Sequence, residues 1–138
     1  MIQSTSPSYL IMTSLDEAAR YMNSIGRHKM TILINRIEEL KLAVEEQTDL
    51  KFVDKNSVDR VYDKSRIVVD FSPIGISGEL AEKLLIDEFG IYPEMSDARY
   101  VVFIPSVSNS NRDIKCLTYA LISIGGRRFK NETSQNNM

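Results

Sequence analysis

The chain has 138 residues, 43% of them apolar, with 17 basic and 19 acidic side chains for a formal net charge of −2. That length suits one domain or part of one, with enough apolar residues for a packed core, and the charge balance offers no basic surface for nucleic acid. One cysteine excludes an internal disulfide, no apolar run nears the roughly 18 residues of a membrane span, and MIQSTSPSYL lacks the basic and apolar blocks of a signal peptide, so a cytoplasmic protein is expected.

Residues 1–5 are polar. Ser6-Pro7 then reads as a helix start, serine as cap and proline at the first helical position. Ile11, Leu15, Ala18 and Met22 recur at helical spacing, and Gly26 is the expected stop. A second helix is predicted over Arg27–Glu46. Met30, Leu33, Ile37, Leu40 and Val44 form its stripe, with Arg36, Glu38, Glu39, Lys41, Glu45 and Glu46 on the other faces. The run is too short for a coiled coil, so packing against a sheet is the expectation.

Residues 47–66 are polar, with one short strand expected at Leu50–Val53. The β-branched run 67–71 is predicted as a strand, broken by Pro73, Gly75 and Gly78. A helix follows over Ser77–Phe89 with Leu80, Leu84 and Leu85 inward. Short strands are expected at Tyr92–Met95 and Tyr100–Ile104, then a Ser/Asn loop over 105–111. A last helix over Arg112–Ile124 carries Ile114, Leu117, Leu121 and Ile124 on one face and ends at Gly125-Gly126. Residues 127–138 have little to bury and are expected to be disordered. The fold class predicted is α+β: two helices, then a small β-α-β-β-α sandwich with a mostly antiparallel sheet and helices on one face.

The string Ser4-Thr5-Ser6-Pro7-Ser8-Tyr9-Leu10-Ile11-Met12-Thr13-Ser14-Leu15-Asp16, followed by Ala19-Arg20, resembles a signature of the pyridoxal-phosphate-dependent ornithine/lysine/arginine decarboxylase family. Asp63, Gly75 and Gly78, Gly90-Ile91 before Glu94, and Asp113-Ile114 fall in the family's order. The resemblance covers roughly residues 3–124 and implies a fragment of a fold-type-I architecture similar to aspartate aminotransferase. Residues 1–25 would end the large cofactor-binding domain, 26–46 would connect, 47–126 would be the small α+β domain and 127–138 a tail. The family's Ser-x-His-Lys segment, whose lysine carries the cofactor, belongs upstream of the Ser-Thr-Ser-Pro string, as do its ring-nitrogen aspartate and ring-stacking histidine. This sequence has no Ser-x-His-Lys segment. Decarboxylation leaves a carbanion that the protonated pyridine ring absorbs, so the isolated chain is expected to be inactive and not to bind the cofactor alone. No catalytic residue is assigned.

The resemblance implies that a hydroxyl from Thr5, or Ser4 beside it, contacts the phosphate of a partner subunit's pyridoxal phosphate; hydroxyls and a helix N-terminus suit that role. The bland alternative is a helix cap, the role expected of Ser6. His28-Lys29 lacks a serine two positions ahead, where Gly26 stands, and is read as a solvated helix start. Gly75-Ile76-Ser77-Gly78 has neither the lysine of a P-loop nor a dinucleotide fingerprint, so it is a tight strand-to-helix turn. Glu94 is a candidate for domain stability or for the cleft. Cys116 is read as an inert thiol, and one histidine with one cysteine gives metal binding no support.

The intact form would be a homodimer or higher oligomer, its missing large domain the partner of this chain, turning lysine, arginine or ornithine into a polyamine or its precursor. The alternative is a free-standing non-enzymatic α+β binding or oligomerisation module. The N-terminal segment discriminates, since such a module has no use for an amphipathic helix with nothing to cover. On the fragment reading, Ile11, Leu15 and Met22 and likewise Leu33, Ile37 and Leu40 are expected to stay exposed and to promote association.

Overall fold

The amphipathic stretches at the start of the chain form one helical rod in the computed structural model, which describes residues 8–55, 62–127 and 129. Helix α1 (Tyr9–Tyr21) runs through a π turn at Met22–Gly26 into α2 (Arg27–Gln47). The cap of α1 is Ser8, not the expected Ser6: its hydroxyl accepts from the Ile11 amide at 3.5 Å and places the helix start two residues later. Gly26 does not stop the helix. It keeps right-handed φ/ψ of −62° and −39°, and a Cβ there would sit 2.7 Å from the Met22 sulfur. The Met22 side chain folds over this glycine. A π turn holds one residue more than an α turn and so rotates the next turns of helix by about 100°.

The stripe of α2 has a partner within the chain. Leu33, Ile37, Leu40 and Val44 are buried, packed chiefly against α4 (Asn111–Gly125). This corrects two expectations: the stripe is covered, and a helix rather than the sheet directly covers it. The helices approach closely at their C-terminal ends, where a Cβ on Gly125 would come within 2.8 Å of the Thr48 Cβ. Lys41, expected on a solvated face, is buried beside this stripe.

Beneath the helices lies a four-stranded antiparallel sheet in the order β1-β2-β4-β3. The strands are β1 (Lys51–Phe52), β2 (Ile67–Asp70), β3 (Met95–Ser96) and β4 (Tyr100–Phe103). Ile67 pairs with Phe103 and Val69 with Val101, while Phe52 lies opposite Val69. Strand side chains alternate between faces, so these five point to one side. All are buried in the cluster that also holds the α2 and α4 stripes. The predicted α+β sandwich, with its antiparallel sheet and one helical face, is the architecture found.

Two boundaries differ from expectation for local reasons. The strand expected over 92–95 is shifted to Met95–Ser96, although the Glu94 amide already donates to Val102 O at 2.9 Å; Gly90 and Ile91 before it finish a helix. The Gly90 amide returns to the Ile86 carbonyl and Ile91 to Leu85, with Gly90 left-handed at φ 63°; this glycine-capped ending occupies both amides. In α3 (Gly78–Phe89) the inward residues are Ala81 and Leu85, whereas Leu80, expected inward, is exposed. A Cβ on Gly78 would collide with the carbonyl oxygens of Asp97 and Tyr100. That close approach turns Ala81 toward the sheet and leaves room for little more than a methyl group.

The expectation for the tail is corrected at its start. Arg127 forms a two-pronged pair with Glu88, 2.7 Å from Nη1 to Oε1, and Phe129 packs partly buried on the core cluster. The rest of residues 127–138 lies outside the described residues.

Candidate functional site

Ser4 and Thr5, the two residues expected to reach a phosphate, lie outside the described residues, as do Ser6 and Pro7. The described chain starts at Ser8, where α1 presents its N-terminal turn. Further in, the hydroxyls of Thr13 and Ser14 donate to the carbonyls of Tyr9 and Leu10 at 2.8 and 2.9 Å. No residue of α1 is buried. Tyr9 and Leu10 are 82% and 79% exposed, and Ile11, Met12 and Leu15 are exposed with them. The acidic and basic side chains Asp16 and Arg20 pair with each other at 3.0 Å. What remains is an amphipathic helix whose apolar side chains Tyr9, Leu10, Ile11, Met12 and Leu15 are all exposed. Soluble monomers rarely leave such a surface unused.

The remaining motifs resolve into structural roles. His28 and Lys29 are exposed, in mid-rod rather than at a helix start, and the Lys29 ammonium lies 5.1 Å from the centre of the Tyr21 ring. The 75–78 turn is committed to its own packing. Gly75 is left-handed at φ 80°, the Ser77 hydroxyl accepts from the Leu80 amide at 3.1 Å, and the Glu79 amide donates to Asp97 O at 3.1 Å. A phosphate there would compete for amides already used. Glu94 is exposed on a groove of about 390 Å³, its amide holding Val102 O at 2.9 Å. Cys116 is exposed in a groove of about 590 Å³ beside Phe89, Arg112 and Tyr119. No group of three or more metal-ligating side chains comes together among the described residues.

Two polar constellations escape a reading of the sequence. Asp70, buried at the end of β2, takes the Arg99 side chain through Nε at 2.9 Å and Nη2 at 2.6 Å. It also accepts from the amide and hydroxyl of Ser72 at 2.9 and 2.7 Å. Burial by itself would push its carboxyl up. The Arg99 and Ser72 hydrogen bonds outweigh that and hold it below the usual carboxylate range. The Lys41 ammonium donates to the Tyr62 hydroxyl at 2.6 Å and lies 3.7 Å from Glu38. A signal exists for Lys41: it stands four residues after Ile37 and three before Val44, on the buried side. None exists for Asp70 and Arg99, which are 29 residues apart and meet only because β2 and β4 pair.

These residues do not fit a pyridoxal-phosphate cofactor by themselves. The sequence has no Ser-x-His-Lys lysine, and Lys41, the buried lysine among the described residues, spends its ammonium on Tyr62. No helix among the described residues is long and apolar enough to cross a membrane.

Comparison with known proteins identifies the family. The family model for "Orn/Lys/Arg decarboxylase, major domain" matches residues 1–74. The chain is similar to arginine decarboxylase of Halalkalibacterium halodurans, 27% identical over 125 residues, covering 88% of this chain and 26% of that protein. It is similar to arginine decarboxylase of Bacillus anthracis, 25% identical over 139 residues, covering 98% and 28% respectively. Arginine decarboxylase of Bacillus subtilis is 28% identical over 134 residues, covering 90% and 26%. The chain therefore spans under a third of the length of the curated relatives it matches.

Proposed function

The chain belongs to the Orn/Lys/Arg decarboxylase family, and from that premise we propose that it supplies the part after the cofactor lysine in a pyridoxal-phosphate-dependent decarboxylase of lysine, arginine or ornithine. The observation that carries this reading is the bare apolar face of α1. A helix that buries nothing in its own chain gains its stability by packing elsewhere. The relatives contain more than twice as much additional polypeptide to provide that surface.

On this reading α1 docks on the large domain, α2 connects, and the α2–α4 sandwich with its sheet is the small domain. The family match labelled major domain runs through α2 and β2 to Ile74, so the connecting helix and the first strands travel with the large domain in sequence. The chain's own contributions are positional. The rod fixes the distance from cofactor edge to sandwich, and the segment before Ser8 presents Thr5 and Ser4 to a phosphate at the start of α1. Those hydroxyls donate hydrogen bonds to an anion without supplying a proton or a nucleophile. The chemistry itself belongs to groups this sequence does not contain, and the isolated chain is inactive.

The test is complementation. The purified chain is incubated with pyridoxal phosphate and each of the three amino acids, alone and with a polypeptide that carries the Ser-x-His-Lys half of a Bacillus subtilis relative. No CO2 is expected from the chain alone and measurable CO2 from the mixture. Release by the chain alone would overturn the fragment reading. A mixture that neither associates with the chain nor protects α1 amides from hydrogen exchange would overturn the docking role.

A further inference from the structure

Helices α2 and α4 lie side by side with matching ends together. Gly125, at the C-terminal end of α4, meets Thr48 just past the end of α2. At the other end Lys29 and Leu33 of α2 share a cleft with Asn109, just before α4 begins. The two helices are therefore parallel, and the rod continues past the start of α4. That continuation, α1 with the π turn, is an arm about 27 Å long, and no residue of α1 is buried. Tyr9, Leu10, Ile11 and Met12 are consecutive and all exposed. Four residues complete a turn, so the tip of the arm is apolar all round instead of along one stripe. A flat surface covers one side of such a tip, whereas a groove covers most of it.

A groove is present at the same end of the molecule. The stretch of α4 from Arg112 to Tyr119 forms one wall, and Phe89 and Ile91 at the end of α3 form the other. It has a volume of about 590 Å³ and runs into a second groove of about 390 Å³ through Phe89, Ile91 and Cys116, which line both. Phe89 and Tyr119 meet edge to face with ring centres 6.2 Å apart, and Tyr119 is exposed. Tyrosine and phenylalanine lining an open groove are the side chains that anchor interfaces. The rim adds Arg112 and Lys115, opposite in sign to Asp16 and Glu17 on the arm. Its one acid, Glu88, is taken by Arg127.

We propose that two copies of this chain exchange arms, α1 of each lying in the other's groove between α4 and the end of α3. Arm and groove sit at one end of the molecule, so a single two-fold axis there makes both contacts at once and closes the assembly. The exchange covers the apolar tip, fills the groove and brings the acids of α1 toward the cations of the rim. Docking on a large domain, proposed above, uses the same face of α1. The two arrangements exclude each other, and arm exchange belongs to the chain on its own.

The sole cysteine, Cys116, is exposed in the groove, so its alkylation by a maleimide reports whether the groove is filled. Sedimentation of the full chain should show a dimer. Alkylation should slow as protein concentration rises, about tenfold once about nine tenths of the chain is paired. Ile11→Glu on the arm and Tyr119→Glu in the groove should each give a monomer whose Cys116 reacts at the dilute rate at every concentration. Both side chains are exposed, and circular dichroism checks that each variant folds. Mixed together, the two variants should pair again, because one native arm then meets one native groove. A monomeric unmodified chain, a dimer with Cys116 still reactive, a Tyr119→Glu variant that still pairs, or a mixture that stays monomeric would each overturn the exchange. Protection of Cys116 that does not depend on concentration would overturn it too, since a segment of the same chain would then fill the groove.

Discussion

Ile11 and Leu15 on α1 and Leu33 and Ile37 on α2 repeat at the same helical intervals, on one continuous rod, yet Leu15 is 65% exposed and Ile37 is 0% exposed. Periodicity announces that a face wants burial; it does not say what will bury it. For α2 the answer is α4, which returns after the whole sheet has been built. For α1, which has no buried residue, no described residue answers. The comparison also narrows where association arises. The expectation that both helices expose apolar surface reduces to α1 alone.

The sharpest way to break this contrast is truncation on both sides of the π turn. Ile37→Ala or Leu121→Ala empties a closed core and should cost about 3–4 kcal/mol, measured by urea denaturation. Leu15→Ala should change stability by no more than about 0.5 kcal/mol and reduce self-association in sedimentation. Equal costs would mean that α1 is already packed. Next in size is Gly78→Ala. The added methyl meets backbone carbonyls of Asp97 and Tyr100, which cannot swing aside as a side chain would, so about 2–3 kcal/mol is expected from the same denaturation curves.

The smallest effect is electrostatic and carries a pH signature. Asp70 is held below the ordinary carboxylate value in the folded chain. Its contribution is therefore complete above about pH 5 and fades as pH falls through the lower folded value, because the unfolded chain takes up the proton first. Asp70→Asn should lose about 1–2 kcal/mol at pH 7, the figure held down by the half-exposed Arg99. It should also flatten that part of the acid limb. An acid limb unchanged by Asp70→Asn would show that the pair adds nothing, and the comparison would then rest on apolar packing alone.

Much of the fold is legible in the sequence, and the misreadings share a cause. Ser77 and Gly90 bracket α3, and Gly125-Gly126 closes α4, as local chemistry dictates. The β-branched run 67–71 and the strand from Tyr100 form as pattern predicts. Of the candidate motifs, the 75–78 turn reads correctly as structural, because its spacing lacks what a P-loop or dinucleotide site requires, and His28-Lys29 is exposed, as its reading as a solvated pair expects. Leu80, Lys41 and Gly26 do not read correctly. Each depends on what a neighbouring segment does: the Asp97–Tyr100 carbonyls against α3, the Tyr62 hydroxyl above α2, and the Met22 side chain folded over a glycine.

The amino-acid order alone determined which stretches become helices and strands, the antiparallel α+β class, and the family likeness held in residues 4–20. Those properties arise from rotamer, capping and hydrogen-bond preferences within a few residues of each other. Only the tertiary structure decided that α2 is covered while α1 is bare, that Asp70 meets Arg99, and that Phe89 and Tyr119 wall one groove. Burial and pairing across 29 residues or more depend on how sheet register and helix packing close in space, and no local preference encodes that closure.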